Sequence, residues 1–280
     1  PLRRQRQMCI RDSYADVSLQ SEMETVRAIN KECEKQGKRH KIILMMDLGD
    51  IREGYVDEEE LIAAAVETEK LSHVDLYGIG TNLTCFSFIQ ADEEKMECLA
   101  EMRRKVENAA GHTLEIVSGG NSAALDLMMR GGICEGVDNF RLGESLLFGK
   151  ERSRYTFLPG TRNDGFILEC EVVEAKVKPS LPWGTAGVDS YGRKPVFTDR
   201  GEKRKKVICA IGRQDFDAET ATPVDEGILI LGASSDHLML DVTDSVKEYK
   251  VGDIVELRLG YFSVLRAFTS PYVEKIFLKK

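Results

Sequence analysis

From residue 14 to about residue 150, the sequence repeats a strand–helix unit of about 30 residues, and this repetition decides the fold class. Its clearest strand is Lys41–Met46, a continuous apolar run typical of a strand buried on both faces. Repeated βα units predict a parallel sheet with helices packed on its outside. We count about five units, whereas a complete (β/α)8 barrel takes about 250 residues. The pattern therefore predicts either an open five-stranded sheet or an incomplete barrel.

Residues typical of helix ends separate these units. Gly37 and Gly111 follow helical stretches and predict their C-termini, because glycine readily adopts the left-handed conformation found there. Asp57 precedes a run of glutamates and predicts the N-cap of the second helix. Ser21, followed by Glu24, matches a capping box and predicts that the first helix begins at Ser21.

The first residues of the chain, PLRRQRQMCIRDS, fit neither domain. They are rich in arginine but lack the apolar stretch of a signal peptide. We interpret residues 1–13 as non-native sequence joined to a coding fragment, with a short disordered basic tail as the alternative. This unusual start favours an N-terminally truncated barrel over an open sheet.

Beyond about residue 156 the pattern changes to short alternating strands separated by Pro and Gly. The longest alternation is Phe166–Val177, and Val273–Leu278 is predicted as the last strand. We find no convincing helix pattern in this part. The predicted fold class is therefore α/β plus all-β, with a partial barrel at 14–155 and a C-terminal β-domain at 156–280.

Composition excludes several classes of protein. The net charge of -8 argues against broad binding to nucleic acid or anionic membranes. No apolar run approaches the roughly 18 residues of a membrane span. The cysteines form no CxxC pair and the histidines no HxH or HExxH pattern, so neither a disulfide framework nor a metal site is predicted. We expect a protein of the reducing cytoplasm.

Ligands of parallel α/β folds bind at the carboxyl ends of the strands, so residues that follow predicted strands are the site candidates. Asn121 and Ser122 follow two glycines and open a helix, an arrangement that can bind a phosphate through N–H groups and a hydroxyl. Gly143 follows the next strand, and barrels often bind phosphate with two neighbouring loops. Taken alone, Asn121 and Ser122 also fit an ordinary N-cap.

Two arginines occupy similar positions. Arg141 ends the fifth predicted strand, and Arg52 lies in a glycine-flanked loop after the second. Each can bind an anionic ligand, and each can equally form an ordinary surface ion pair. The residues alone leave both interpretations open.

Several segments, in order, resemble the fold type III pyridoxal-phosphate (PLP) family that includes alanine racemase, and most closely its ornithine racemase-like branch. They are DVSLQSEMETVRA, HKIILMMDLGDIREG, GIGTNLTC, SGGNSAAL, RLGES and YFSVLRAFTSPYVEK. The resemblance covers about residues 14–280. It implies PLP as the cofactor, a (β/α)8 barrel with a C-terminal β-domain, and a homodimer in which each active site borrows residues from the partner's β-domain.

The resemblance also implies roles for residues that bind the cofactor phosphate. Asn121 and Ser122 fall where the family binds that phosphate, and Gly143 with the backbone of Glu144 completes the site. Tyr261 matches a tyrosine that contacts the phosphate.

Three further residues match positions around the cofactor ring. Arg141 matches the arginine that faces the pyridine nitrogen and keeps it unprotonated, which makes the ring a weaker electron sink. Arg52 matches the arginine near the phenolic oxygen and the substrate carboxylate. Asn82 occupies the place where alanine racemase has a histidine stacked on the ring.

In the second domain, Arg213 stands in IGRQD where alanine racemase has a catalytic tyrosine from the partner subunit. Ser235 and Asp236, in GASSD, match the segment that holds the substrate carboxylate. Asp215 is a candidate to bind the second amine of ornithine, and it also fits a solvated loop acid.

The Schiff-base lysine of the family lies on the first barrel strand, and no predicted strand here ends in a lysine. The resemblance implies an amino-acid racemase, for ornithine or a similar substrate, that works through an aldimine and α-proton transfer. We expect the chain as given to be inactive alone. Two alternatives stay open: a non-catalytic PLP carrier of the same superfamily, against which the β-domain argues, and a phosphate-binding barrel unrelated to PLP.

Overall fold

The computed structural model describes residues 15–188 and 192–278. Contacts divide the chain into two compact units, one ending at Thr161 and the next beginning at Arg162. Each unit has its own hydrophobic core. The prediction for residues 1–13 lies outside the described residues. No helix within the described ranges combines the length and the apolar character that crossing a membrane requires.

The first unit is built on a parallel five-stranded sheet whose strands follow the order of the chain. The strands are β1 Val17–Gln20, β2 His40–Met46, β3 Val74–Thr81, β4 Ile116–Asn121 and β5 Asn139–Arg141. The helices are α1 Met23–Gln36, α2 Glu58–Thr68, α3 Glu93–Ala110, α4 Leu125–Met129 and α5 Glu144–Phe148, with a 3-10 turn at Ser122–Ala124. The hairpin of β6 Lys150–Glu151 and β7 Thr156–Phe157 follows. The predicted succession of βα units in an incomplete barrel is confirmed.

The apolar run of β2 is buried on both faces of the sheet. Ile42 and Leu44 pack into the core shared with the helices, whereas Ile43 and Met45 alternate with them and are also buried. Each such side chain contributes about 1.5–3 kcal/mol by leaving water. This double burial is the reason why the strand shows no alternation of polar and apolar residues.

Three of the predicted helix ends are confirmed. Gly37 and Gly111 adopt the left-handed conformation, with φ of 62° and 81°. The Asp57 carboxylate accepts hydrogen bonds from the backbone N–H groups of Glu59 and Glu60, at 2.8 and 3.0 Å. These caps satisfy N–H and C=O groups that a helix end otherwise leaves unpaired.

The predicted start of α1 at Ser21 is wrong. The helix begins at Met23, with Glu22 as an N-cap whose side chain makes no capping hydrogen bond. The backbone of Glu22 is extended, with φ of −143° and ψ of 123°, because the chain leaves β1 only at Gln20. Ser21 therefore lies one residue too early for its hydroxyl to cap the helix.

Glycines allow β3 and β4 to approach their neighbours closely. A Cβ on Gly78 would lie 2.1 Å from the carbonyl oxygen of Ile116, and one on Gly119 would lie 2.6 Å from Cγ1 of Val137. The strand β4 continues through Gly119 and ends at Asn121. Its pairing with β5 is irregular between Ser118 and Asn121.

The second unit contains the strands β8 Ile167–Lys178, β9 Arg204–Cys209, β10 Ala221–Pro223, β11 Leu229–Ala233, β12 Leu238–Asp241 and β13 Ile254–Leu259. They form a six-stranded antiparallel sheet with the order β10-β13-β8-β9-β12-β11. The predicted β-class of this domain is confirmed.

Two details of the second unit were predicted wrongly. A helix, α6 Tyr261–Thr269, follows β13, where no helix was expected. Its sequence YFSVLRAFT is rich in aromatic and β-branched residues, which favour strands. Ser263 and Ala267, four residues apart, form its buried face. The segment Val273–Leu278, predicted as a strand, has no regular secondary structure.

Candidate functional site

The carboxyl ends of β3, β4 and β5 bring three predicted site residues together. Asn121 is the register partner of Arg141 in the parallel pairing of β4 and β5. The Nδ2 of Asn121 donates hydrogen bonds to Oδ1 of Asn82 and to the carbonyl oxygen of Leu83, both at 2.8 Å. Asn82, Asn121 and Arg141 are therefore neighbours at one edge of the sheet, as expected for residues of a single site.

Backbone N–H groups converge on the hydroxyl of Ser122. The amides of Gly143 and Ser145 donate to Ser122 Oγ, each at 3.2 Å, and the hydroxyl of Ser145 lies 3.0 Å from it. Ser122 is buried, whereas Gly143 is exposed and has open space where a Cβ would lie. Glu144 lies between the two donors, and its carboxylate pairs with Arg152 at 3.1 Å. N–H groups and a hydroxyl in this arrangement suit an anion.

Arg141 is anchored by neighbouring strands. Its guanidinium donates to the carbonyl oxygen of Thr81 at 2.8 Å and to the hydroxyl of Ser118. Burial lowers the pKa of Arg141, and the carboxylate of Glu53 opposes this shift. Arginine nevertheless stays protonated in proteins, so the edge of the sheet carries a fixed positive charge.

Asn82 carries an unpaired hydrogen-bond donor. The residue is buried, and its Nδ2 has no hydrogen-bond partner within the described part of the chain. Its Oδ1 is occupied by Asn121 and lies 3.5 Å from a guanidinium nitrogen of Arg141. Because buried polar atoms are rarely left unpaired, this donor indicates a place where a ligand atom accepts a hydrogen bond.

Arg52 lies on the loop after β2, which the carboxylate of Asp47 organises. Asp47 accepts hydrogen bonds from the backbone N–H groups of Gly49, Ile51 and Arg52, at 2.8, 3.1 and 3.1 Å. The Arg52 side chain is about half exposed, and its Nε lies 2.7 Å from Oε2 of Glu53. The distance is that of an ion pair, but Oε2 makes no well-aligned hydrogen bond. Burial raises the pKa of Glu53, against the opposing charge of Arg52.

Sequence reasoning missed several residues of this site. Asp47 and Asp50 accept hydrogen bonds from backbone N–H groups of the loops. The hydroxyl of Ser118 binds Arg141, and the hydroxyl of Ser145 binds that of Ser122. The available signal was the segment Asp47-Leu48-Gly49-Asp50, since aspartates near a glycine are typical of side chains that bind local backbone N–H groups.

In the second unit, the segments that contain Arg213 and Ser235 are packed backbone to backbone. The amide of Arg213 donates to the carbonyl of Ser234 at 2.8 Å, and that of Gln214 to the carbonyl of Ser235 at 3.0 Å. A Cβ on Gly212 would lie 2.2 Å from the amide nitrogen of Asp236, so only glycine allows this approach. The guanidinium of Arg213 donates through Nε to the carbonyl of Ala233 at 2.8 Å.

The remaining candidates of the second unit differ in exposure. Asp236 is exposed, and the hydroxyl of Ser235, 2.9 Å away, lowers the pKa of its carboxyl group. Asp215 is buried and accepts a 2.6 Å hydrogen bond from the hydroxyl of Ser270, so it is not a solvated loop acid. Tyr261 is the first residue of α6 and is partly exposed.

No group of three or more His, Cys, Asp or Glu side chains that could hold a metal ion occurs among the residues the structure describes. The site of the first unit instead combines N–H groups, hydroxyls, amides and guanidinium groups. These groups bind anionic and planar polar ligands.

Comparison with known proteins identifies relatives over most of the chain. Residues 6–151 match the family model for the N-terminal domain of alanine racemase. An ornithine racemase from Acetoanaerobium sticklandii is 45% identical over 262 residues, which cover 94% of this chain and 74% of the relative. A lysine racemase from Thermotoga maritima is 40% identical over 264 residues, covering 94% of this chain and 73% of the relative.

Among solved structures, an alanine racemase from Clostridium difficile 630 has a similar fold. The TM-score is 0.60 at 20% sequence identity, and the match covers 94% of this chain and 69% of that one. This similarity supports the arrangement of a partial parallel barrel followed by a β-domain.

Proposed function

Because the chain belongs to the alanine racemase family of PLP-dependent enzymes, we propose that it is the greater part of a racemase for ornithine or a similar basic amino acid. The two curated relatives are named for ornithine and lysine, which both carry a second amine on the side chain. The proposed reaction interconverts the L and D forms of such a substrate. The family's cofactor is PLP.

The residues at the ends of β4 and β5 fit the phosphate of PLP. A phosphate is bound by N–H groups and hydroxyls that converge on one point. The amides of Gly143 and Ser145 each lie 3.2 Å from the hydroxyl oxygen of Ser122, so three hydrogen-bonding groups are gathered at one point. We assign the phosphate to this position, with Asn121 and the backbone of Glu144 beside it. This convergence at neighbouring strand ends is the observation that carries the proposal.

The residues around Asn82 fit the ring of PLP. The guanidinium of Arg141, held by Thr81 and Ser118, is assigned to the pyridine nitrogen, where it donates a hydrogen bond without giving up a proton. The unpaired Nδ2 of Asn82 supplies a donor beside the ring. When bound, PLP makes the α-hydrogen of an attached amino acid acidic.

Arg52 is assigned to the carboxylate of the substrate and the phenolic oxygen of the cofactor. Asp47 fixes the backbone of its loop, whereas the side chain stays about half exposed and reaches a neighbouring anion, Glu53. A guanidinium on a fixed loop can bind a carboxylate through two parallel hydrogen bonds.

We propose a homodimer in which the second unit of one subunit serves the active site of the other. Arg213, Ser235 and Asp236 lie on two segments packed together at Gly212, so they form one surface. Arg213 and Arg52 are the residues that we place closest to the reacting atoms. Tyr261 is assigned to the cofactor phosphate and Asp215 to the second amine of the substrate. The proposed location is the cytoplasm.

None of the strands β1 to β5 carries a lysine at the site end that could attach the cofactor covalently. The strands β1 to β5 contain a single lysine, Lys41, which is the second residue of β2 and lies at the opposite end from the site. Its ammonium group lies over the ring of Tyr77, 4.3 Å from the centroid. We therefore propose that the chain as given binds PLP without covalent attachment and is inactive alone.

The test is a chimera that joins this chain to the part of the A. sticklandii ornithine racemase outside the match. The PLP-loaded chimera and the chain alone are incubated with a panel of L-amino acids, and the D forms are measured by chiral chromatography. The proposal expects the chimera to convert ornithine or lysine and the chain alone to convert none. A folded, PLP-loaded chimera that racemises no amino acid would contradict it and would favour a PLP carrier.

A further inference from the structure

One buried carboxylate joins two loops at the edge of the candidate site. Asp50, on the loop after β2, is 1% exposed. It accepts hydrogen bonds from the backbone N–H groups of Cys85, Phe86 and Ser87, at 3.0, 3.0 and 3.1 Å. These donors belong to the loop after β3. Three N–H groups on a single ionised carboxylate form a strong, charge-assisted contact between segments 35 or more residues apart.

Both loops contain residues in a strained conformation. Ile51, Thr84 and Phe88 have positive φ angles of 53°, 65° and 58°, and in the described chain the fourth non-glycine residue of this kind is Tyr155. Positive φ is unfavourable for bulky and β-branched side chains, and it persists only where surrounding contacts enforce it. The three residues lie on the two loops that Asp50 connects. Contacts within the fold therefore keep both loops in a backbone conformation that these residues would not favour alone.

The loop after β3 is also held from its other side. The Nδ2 of Asn121 donates to the carbonyl of Leu83 at 2.8 Å and lies 3.4 Å from Sγ of Cys85. The hydroxyl of Thr84 donates to the carbonyl of Ile89 at 2.7 Å. The segment therefore runs between two fixed points, Asn121 on β4 and Asp50 on the loop of β2.

We propose that Asp50 is a positioning residue, which fixes the loop that begins at Asn82 against its own loop, the one that carries Arg52. The inference rests on the proposed function, in which Asn82 and Arg52 contact the cofactor and the substrate. Asp50 itself is buried and bonded to the backbone of Cys85–Ser87, so we assign it no direct contact with the cofactor or the substrate. Its negative charge is satisfied by the three N–H groups, so it orders the site without adding an exposed anion to it.

The experiment compares Asp50→Ala and Asp50→Asn with the control Asp57→Ala in the chain as given. Asp57 also accepts two backbone N–H groups, but as the N-cap of α2. The dissociation constant of PLP is measured by fluorescence titration, and hydrogen exchange is followed at the amides of residues 83–89. The asparagine variant keeps the side-chain shape, so it reports on the carboxylate even where the alanine variant folds poorly.

We expect Asp50→Ala to raise the dissociation constant of PLP about 10-fold, the lower end of the loss caused when residues that support metal ligands are replaced. Exchange at Cys85, Phe86 and Ser87 should become faster, and Asp50→Asn should give a smaller change in both readouts. Asp57→Ala should lower the melting temperature without changing PLP affinity.

Two results separate the failure of this inference from the failure of the proposed function. Faster exchange at residues 85–87 with PLP affinity within about two-fold of wild type would overturn the positioning role of Asp50 alone. Absence of PLP binding by the wild-type chain would overturn the proposed function, and the assignment of Asp50 with it.

Discussion

The side-chain amide of Asn121 donates a 2.8 Å hydrogen bond to Oδ1 of Asn82, and this contact fixes which way the Asn82 amide faces. Since the oxygen is turned towards Asn121 and Arg141, the Nδ2 of Asn82 points to neither of them. The pair links the ends of β3 and β4. Side chains held by such a hydrogen bond lose less conformational entropy when a ligand binds.

Replacement of Asn121 by aspartate should break this link. A carboxylate cannot donate a hydrogen bond to Oδ1 of Asn82 or to the carbonyl of Leu83. Its oxygen would instead face these two acceptor oxygens without a hydrogen atom between them. We expect a loss of about 1–3 kcal/mol in the free energy of unfolding, measured in urea. The control is Asn108→Asp on the exposed face of α3, which should change stability little. An Asn121→Asp variant as stable as this control would show that the link contributes nothing.

Much of the first unit could be predicted from its sequence because the signals are local. The run at Lys41–Met46 and the glycines Gly37 and Gly111 report burial and backbone conformation within a few residues. Asn121 and Arg141 could be placed at one edge because the carboxyl ends of parallel strands always meet there. The capping box at Ser21 failed because the end of the preceding strand, and not the motif, decides where the helix begins.

Other features depend on contacts that the sequence does not record. Asp50 binds backbone N–H groups of Cys85–Ser87, and a backbone group leaves no residue-type signal in the partner segment. The helix at Tyr261–Thr269 was missed because its residues favour strands individually, whereas burial of Ser263 and Ala267 stabilises a helix. Tertiary packing overrides local preference in such segments.

The second unit offers a comparison of two aspartates that share Arg204. Asp241 has a side chain 1% exposed and accepts from Nε of Arg204 at 2.8 Å, whereas Asp244 is 72% exposed and accepts from Nη2 at 2.8 Å. Asp241 also accepts from the amide and the hydroxyl of Thr243. We expect Asp241→Ala to cost about 3 kcal/mol in urea unfolding, because it leaves buried donors unpaired. Asp244→Ala should cost much less, and equal losses would contradict this interpretation.

His112 should make stability depend on pH. Its hydrogen bonds to the carbonyl of Thr113 and to Glu69 raise its pKa above the ordinary value of 6.5. A raised pKa in the folded state stabilises the protein fully below the unfolded-state value, and this contribution disappears as the pH rises through the folded-state value. His112→Gln should therefore lower the melting temperature more at about pH 5.5 than at about pH 8.5.

Glu69→Gln provides the control for this pH dependence, because it removes the anionic partner and keeps the histidine. The difference between the two pH values should shrink in that variant. A His112→Gln variant whose melting temperature falls equally at both pH values would show that the pairing of His112 does not contribute.

The phosphate assignment at Ser122 is examined by titrating the chain with PLP and with pyridoxal, which lacks the phosphate. In wild type we expect PLP to bind more tightly than pyridoxal. Ser122→Ala removes the hydroxyl on which the amides of Gly143 and Ser145 converge, so it should weaken PLP binding about 10-fold and leave pyridoxal binding unchanged. Ser72→Ala, two residues before β3 and at the opposite end of that strand from the site, should change neither. Equal affinities of PLP and pyridoxal in wild type, or an unchanged PLP affinity in Ser122→Ala, would contradict the assignment.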